Sequence, residues 1–481
     1  MNRKLIPLVR AALFPAALLL GACTMIPTYE RPALPVADSF QTEADDASSP
    51  GGTTAGTVAP TIAPTAAELR WQDFFTDARL RSVIDLALAN NRDLRVAALN
   101  IEKARALYRI QRAELNPTVG VQVAGERYRV PEKMGDNGVA SMVSDYSVNL
   151  GLASWELDLF GRLRSLSARS LEQYLATEEA RRAAQTALVA AVAGTYLNLA
   201  ADGENLRLAK VTLEAQQSSY ELIRATRDAG LASDLDLRQA QSQVEAARVN
   251  VAAYTGAVAV DRNALQLLVG SSVAPDLLPE QFGTVTDPRG VSAGLPSEVL
   301  LRRPDILAAE HQLRAANANI GAARAAFFPR ISLTASFGTL GPDLSDLFGA
   351  GTRTWSFAPQ ILAPLFASGS LLANLKVSKV DREIAIAQYE KAIQVAFAEV
   401  SDALTLRSTL VAQREAQAAL VVALDETWRL SDARYQAGID GYLGVLVAQQ
   451  ALYAAQRGEV AVRLAEQANL VTLYKVLGGG V

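Results

Sequence analysis

Two periods of apolar residues alternate along this chain, and each calls for a different element. Period two runs from Thr118 to Tyr128, around Tyr146 to Leu152, from Ile331 to Phe337 and from Arg353 to Ile361. Ile331, Leu333, Ala335 and Phe337 fall on one face, and Ser332, Thr334, Ser336 and Gly338 on the other. Tyr146, Val148, Leu150 and Leu152 alternate likewise with Asp145, Ser147, Asn149 and Gly151. Successive side chains of a strand point to opposite faces, so these runs predict strands. Each is about 9–11 residues, the length of a tilted strand crossing a bilayer. Small polar residues on the second face suit a wet lumen, although two surface hairpins packed on helices would give a similar pattern.

The rest of the chain has helical period. Arg162 to Asp228 runs about 67 residues without Pro, near 100 Å at the helical rise, and Leu371 to Ala437 is as long. Shorter helices are predicted over Val83 to Leu115, Asp234 to Val269, Glu298 to Phe327 and Tyr442 to Val476. In each half the two short helices together match the long one, so stacked end to end they would run antiparallel beside it. That predicts four rods of about 100 Å with strands at one end. Ala183 to Ala201 is uncharged over about 19 residues, nominally enough to span a bilayer. It contains Gln185, Thr186, Gly194, Thr195 and Asn198 and continues into charged periodic sequence, so it reads as the middle of a longer non-membrane helix.

These elements occur twice. Asn91-Arg92-Asp93-Leu94 through Leu115-Asn116-Pro117 matches Arg303-Pro304-Asp305-Ile306 through Phe327-Phe328-Pro329 at a constant offset. Asp228-Ala229-Gly230-Leu231 matches Gln436-Ala437-Gly438-Ile439, and Leu268-Val269-Gly270 matches Leu477-Gly478-Gly479. Each half reads helix, Pro, two strands, very long helix, Gly turn, helix. Asp93 and Asp305 sit near helix starts, where a carboxylate meets the helix dipole favourably. Four strands cannot close a barrel, and lipid does not tolerate an open edge, so membrane-spanning strands require several copies. Two copies give eight strands, filled by their own side chains; three give twelve and a lumen.

The first residues are an address. Arg3, Lys4 and Arg10 precede the apolar run Ala11 to Leu20, then come Gly21-Ala22 and Cys23. Residues 1–22 read as a signal peptide. Leu20-Gly21-Ala22-Cys23 resembles the lipobox of bacterial lipoproteins, which implies covalent N-acyl and S-diacylglycerol groups on Cys23 and an anchor in outer-membrane lipid. Thr24, where Asp would resemble an inner-membrane retention signal, favours the outer membrane. Residues 23–70 form a lipidated arm, with Ile26-Pro27-Thr28-Tyr29-Glu30-Arg31-Pro32 extended, followed by a Gly, Ser, Thr and Pro-rich linker over 42–65. The repeats then occupy 71–270 and 298–481, with 271–297 as the connection.

Composition now narrows the chemistry. Hydrophobic residues are 50% of 481 while aromatics are only 6%, which favours long helices over a thick aromatic core. One Cys and one His leave no zinc ligand set and no serine triad, and His311 reads as an ordinary helix residue. No phosphate loop or nucleophile elbow occurs, so an enzyme and a cofactor are not expected. A net charge of −4 without basic blocks argues against nucleic acid.

Ser154-Trp155-Glu156-Leu157-Asp158-Leu159-Phe160-Gly161, Phe328-Pro329-Arg330-Ile331-Ser332-Leu333 and Tyr474-Lys475-Val476-Leu477-Gly478-Gly479-Gly480 resemble the outer-membrane efflux proteins. These are the TolC-like outer-membrane factors, and the lipobox points to the OprM-type lipoprotein branch. The resemblance implies an α+β membrane protein: a homotrimer with a twelve-stranded outer-membrane β-barrel, continued by a long periplasmic α-helical barrel. It implies a gated passive exit duct of a tripartite RND-type multidrug efflux system. The partners would be a periplasmic adaptor protein and an inner-membrane RND transporter. The same fold serving type I protein secretion, or a periplasmic coiled-coil lipoprotein scaffold without a channel, remain alternatives.

The resemblance also places function on the two hairpins between long and short helices. Arg227, Gly230, Leu231 and Ser233 in the first, and Arg434, Gly438 and Ile439 in the second, would dock the adaptor. Gly230 and Gly438 also fit plain turn chemistry, ending a helix in the left-handed region, and Ser233 or Asp234 can cap the next helix. Asp236 matches the acidic gate position of the first hairpin, Tyr435 a tyrosine linking neighbouring helices, and Leu443 an apolar constriction residue. Val447 stands where relatives place an inward aspartate, and Gly444 at a further acidic position. A ring of Leu443 and Val447 would close by dewetting instead of by binding cations. Trp155 and Trp355 lie in strands, as interfacial anchors or as packing.

Overall fold

A computed structural model describes residues 24–40, 70–134, 139–279, 282 and 297–479. The signal peptide, Cys23, the linker and most of the inter-repeat connection lie outside the described residues. The chain divides into two compact units. One takes in Asn100–Glu178 and Ala308–Tyr389 with the arm up to Ala33; the other takes in Leu34–Leu99, Glu179–Leu307 and Glu390–Val481. The elements repeat in the expected order. They are α1 (Trp71–Phe74), α2 (Ala78–Asn90), α3 (Arg92–Ala113), β1 (Val119–Val130), β2 (Ser141–Leu157), α4 (Arg162–Asp228) and α5 (Asp234–Val269). The second set is α6 (Pro304–Ala325), β3 (Arg330–Gly341), β4 (Arg353–Leu362), α7 (Ser370–Gln436) and α8 (Tyr442–Val476).

The first unit holds one antiparallel sheet in the order β1-β2-β3-β4. Its register aligns the alternating faces across all four strands. Val121 lies opposite Leu150, Leu150 opposite Phe337 and Phe337 opposite Trp355, one apolar row. Their side chains are 68%, 55%, 62% and 71% exposed, so no described residue covers this face. One residue along, Gln122, Asn149, Gly338 and Thr354 make a polar row. A face this apolar and this exposed is a lipid surface, and the polar face is its aqueous reverse. A register shift between Leu152 and Trp155 marks a bulge, with Ser154 at a φ of 34°. The outer sides of β1 and β4 pair with no other described strand.

The strand-to-helix turn explains the first motif. Glu156 takes two hydrogen bonds from Arg162 at 2.8 and 2.7 Å, and Asp158 accepts the Arg164 backbone N–H at 2.8 Å. Gly161, with φ 78°, supplies the left-handed step before α4. Trp155 donates its indole N–H to the Leu115 carbonyl at 3.2 Å, while Trp355 stands on the exposed apolar face. His311 is an α6 residue whose Nδ1 lies 2.7 Å from Glu172, and it joins no group of three or more metal-ligating side chains among the described residues.

The second unit is helical. α4 contains a stretch long and apolar enough to cross a membrane, yet 56% of that stretch is buried. Val189, Val192, Ala193, Tyr196 and Leu197 are almost fully buried there, the pattern of a packed helix stripe. α4 and α7 each run 67 residues, as their periodicity predicts. Two expected helices are broken, however. Val83 to Leu115 divides at Asn91 between α2 and α3, because Asn91 leaves helical geometry at φ −59° and ψ 131°. Its side chain accepts from Leu94 N at 2.8 Å, capping α3, and donates to the Leu268 carbonyl at 2.8 Å. Glu298 to Phe327 divides at the repeat-equivalent point, into a 3-10 segment Ser297–Arg302 and α6 beginning at Pro304. Pro lacks the N–H that would continue the first helix and favours the opening position of the second. Arg303, buried at this break, binds Asp305, Glu399 and the Val476 carbonyl at 2.7–3.0 Å. The C-terminal motif is also anchored here, since Tyr474 stacks on Phe74 at 4.5 Å.

Candidate functional site

The two hairpin turns are built from one plan. α4 ends with Gly230 N–H donating to Arg227 O and Leu231 N–H to Thr226 O, both at 2.9 Å. α7 ends with Gly438 N–H on Tyr435 O and Ile439 N–H on Arg434 O, again at 2.9 Å. These paired bonds are the Schellman closure, which needs a left-handed residue, and the two glycines have φ of 79° and 70°. An arginine then clamps each turn to an aspartate beyond it. Arg227 reaches Asp234 at 2.8 Å and Asp228 at 3.1 Å; Arg434 reaches Asp440 at 2.5 and 3.1 Å. The Arg434 hydrogen bonds hold the Asp440 carboxyl below the usual carboxylate range.

The turns differ in how the next helix starts. Ser233 and Asp236 form a capping box at α5: Ser233 Oγ accepts from Asp236 N, and Asp236 Oδ2 accepts from Ser233 N at 3.1 Å and Oγ at 2.7 Å. The structure thus engages the Asp236 carboxylate locally. α8 begins at Gly441 with no side-chain cap.

Below the turns, Ile223, Ala240, Tyr442, Val445 and Leu446 form a buried cluster, with Tyr220, Leu237, Trp428 and Tyr435 packed against it. Tyr435 meets Tyr442 edge to face, ring centroids 5.4 Å apart. Tyr435 therefore joins α7 to α8 within one chain. The cluster fixes which side of α8 looks outward. Leu443 and Val447 lie one turn apart on the opposite face, 55% and 56% exposed, with Gly444 beside them. A Cβ at Gly444 would meet nothing within 4 Å, so sterics do not require glycine there.

The exposed tip side chains Leu231 and Ile439 occupy equivalent places after their glycines. Sequence reasoning missed Leu235, which is also exposed and stands five residues after Gly230 as Leu443 does after Gly438. Extending the repeat alignment past the turns would have found it.

The arm after Cys23 is docked in the first unit. Asn317 donates to Pro27 O at 2.8 Å and Arg324 to Met25 O at 3.3 Å. A Cβ at Gly321 would come within 2.6 Å of the Ile26 side chain and 2.9 Å of its backbone nitrogen, so the arm lies directly on α6. Glu310 holds it: Arg31 donates to both carboxylate oxygens at 3.0 and 2.7 Å, and Tyr29 to one at 3.0 Å. Arg314 adds a third partner at 2.7 Å. Burial, and then the Glu310 charge, push the Tyr29 hydroxyl up to about 12.

A sheet with a bare apolar face, a polar reverse and open edges, carried with paired helical hairpins, defines a channel-forming subunit of the outer membrane. Comparison with known proteins agrees. The chain belongs to the outer membrane efflux protein family, whose sequence model matches residues 83–271 and 295–479. It is 48% identical over 464 residues to the toluene efflux pump outer membrane protein TtgC of Pseudomonas putida, covering 96% of this chain and 94% of that one. The antibiotic efflux pump outer membrane protein ArpC of Pseudomonas putida matches with the same identity and coverage. Among solved structures, the open state of the Neisseria gonorrhoeae MtrE outer membrane channel superposes with a TM-score of 0.82 at 39% identity. That match covers 95% of this chain and 98% of MtrE.

Proposed function

We propose that this protein is the outer-membrane exit duct of a tripartite RND-type efflux pump, passing drugs, solvents and other small molecules without supplying energy. The observation that carries the reading is the sheet: four described strands, apolar on one face and polar on the other, with both outer edges unpaired among the described residues. Lipid does not accept an open edge, so copies must join, and three copies close twelve strands around a lumen. The bare apolar positions along the helices, such as Leu222, Val249, Leu406 and Leu420, would be covered by neighbouring copies.

In this reading Cys23 carries the lipid anchor after removal of residues 1–22, and the repeats follow the arm and linker. The hairpin tips, with Arg227, Gly230, Leu231, Ser233, Arg434, Gly438 and Ile439, meet the periplasmic adaptor. Leu443 and Val447 form an apolar gate with Gly444 between them, and Tyr435 and Asp236 hold its hairpins. The names of the relatives, toluene pump and antibiotic pump, support a small-molecule cargo. Deletion is the test. Cells lacking the protein should become more susceptible to drugs and solvents and accumulate more dye, and the wild-type gene should restore them. Unchanged susceptibility together with loss of a secreted protein would move the reading to protein export.

A further inference from the structure

The turn from β2 into α4 and the turn from β4 into α7 carry the same dipeptide. Leu159-Phe160 precedes Gly161 at the foot of α4, and Leu365-Phe366 precedes Gly369 at the foot of α7. Both glycines are left-handed, with φ of 78° and 79°. The environments of the two phenylalanines are opposite. Phe160 stacks on Phe328, ring centroids 4.7 Å apart and planes within 19°. Phe366 is 89% exposed and Leu365 is 97% exposed.

Strand pairing explains the difference. Phe328 stands just before β3, the strand bonded to β2, so a partner is at hand when β2 ends. β4 has no strand on its outer side among the described residues. By the repeat, the position equivalent to Phe328 is Asn116, just before β1, the other strand whose outer edge is open among the described residues. We propose that Leu365 and Phe366 form a lateral latch onto the Leu115–Pro117 turn in the next copy of this chain. The inference rests on the oligomeric duct proposed above and names the contact that closes it.

The register supports the transfer. The pairs Trp155 with Leu333 and Leu157 with Ile331, counted onward one residue per strand, arrive at Phe160 with Phe328. Carried through the repeat, the same ladder sets Phe366 opposite Asn116 and Ile361 opposite Val121 of the next copy. Ile361 and Val121 both belong to the apolar face, each 68% exposed in the single chain. A slip of one residue would set apolar against polar along the whole seam. Asn116 breaks the aromatic symmetry, so the seam between copies lacks the ring-on-ring contact present within each copy.

Cross-linking in the full-length protein tests the latch. Phe366→Cys with Asn116→Cys, treated in outer membranes with a short bismaleimide, should give covalent dimers and trimers on denaturing gels. Neither single variant should do so, and Phe160→Cys with Phe328→Cys should cross-link while staying at monomer mass. If the native trimer forms and the control pair reacts while the Phe366 and Asn116 pair does not, the latch is wrong although the duct stands. If native mass measurement finds only monomer, the trimeric reading itself fails. A second readout is the dissociation temperature of the trimer in detergent: Phe366→Ala should lower it and Asn116→Phe raise it. No shift in either variant would overturn the proposal. So would quenching by brominated lipid in the assembled Phe366→Trp trimer beyond that of the wild type, whose Trp355 already stands on the apolar face, since the excess would assign the side chain to the membrane.

Discussion

Leu443 and Val447 show how a residue's role depends on what lies behind it. The cluster of Tyr442, Val445 and Leu446 locks one face of α8 inward, leaving the aliphatic pair on the other. Neither carries a charge, so a ring of them would oppose ions by excluding water. Glu310 is a second case. Burial pushes its carboxyl up, but hydrogen bonds from Arg31 and Tyr29 and the Arg314 charge outweigh burial and leave it below the usual carboxylate range. A carboxylate depressed in the folded state contributes stability above its unfolded value, about 4.3, and loses it as pH falls through the folded value. Hydrogen exchange of the arm amides should therefore show protection at neutral pH that fades in acid. Glu310→Gln should abolish that acid dependence and lower protection at neutral pH by about 1–3 kcal/mol, the cost of weakened partners around a buried acceptor. Equal pH profiles for both proteins would contradict the role. Nothing in the sequence exposes this pair, since Arg31 and Glu310 are 279 positions apart.

At the scale of elements, the pattern was most legible where one interaction rules. The two 67-residue helices follow from unbroken periodicity, and the strands from strict alternation that the register confirms. The breaks at Asn91 and Arg303 were hidden because apolar period continues through both. Pro304 was a usable signal, as a residue that opens helices and does not continue them. Asn91 is a capping residue type, but its position inside unbroken apolar period masked it, and it is also held by a carbonyl at Leu268 from a different helix. Gly270 fits against this break: a Cβ there would lie 2.6 Å from the Asn90 carbonyl oxygen. Asn91→Ala should remove the cap of α3 at a cost of about 1–2 kcal/mol, seen as ~5–30-fold faster exchange of the Leu94 amide. Unaltered exchange at Leu94 would show that the break is held by something else. The hairpin turns were legible to the residue at Gly230 and Gly438, whereas Leu235 required carrying the repeat past the turn.

For the whole molecule, the decisive quantity is the number of strands. The four described strands, with open outer edges, cannot stand in lipid alone, and this forces the step from one chain to an assembly. Composition gave only part of this, because 50% apolar residues with 6% aromatics favour long helices without saying what covers them. Here much of it is spread over helix faces and a sheet surface left bare in the single chain. The central claim is a closed, gated duct, and single-channel recording of the purified protein in planar bilayers tests it most directly. The wild type should show a small resting conductance that divalent cations do not block at low concentration. Leu443→Ala and Val447→Ala should each raise that conductance, and Val447→Asp should make it sensitive to divalent cations. Silence from the wild type and every variant, in bilayers that contain intact trimers, would contradict the account.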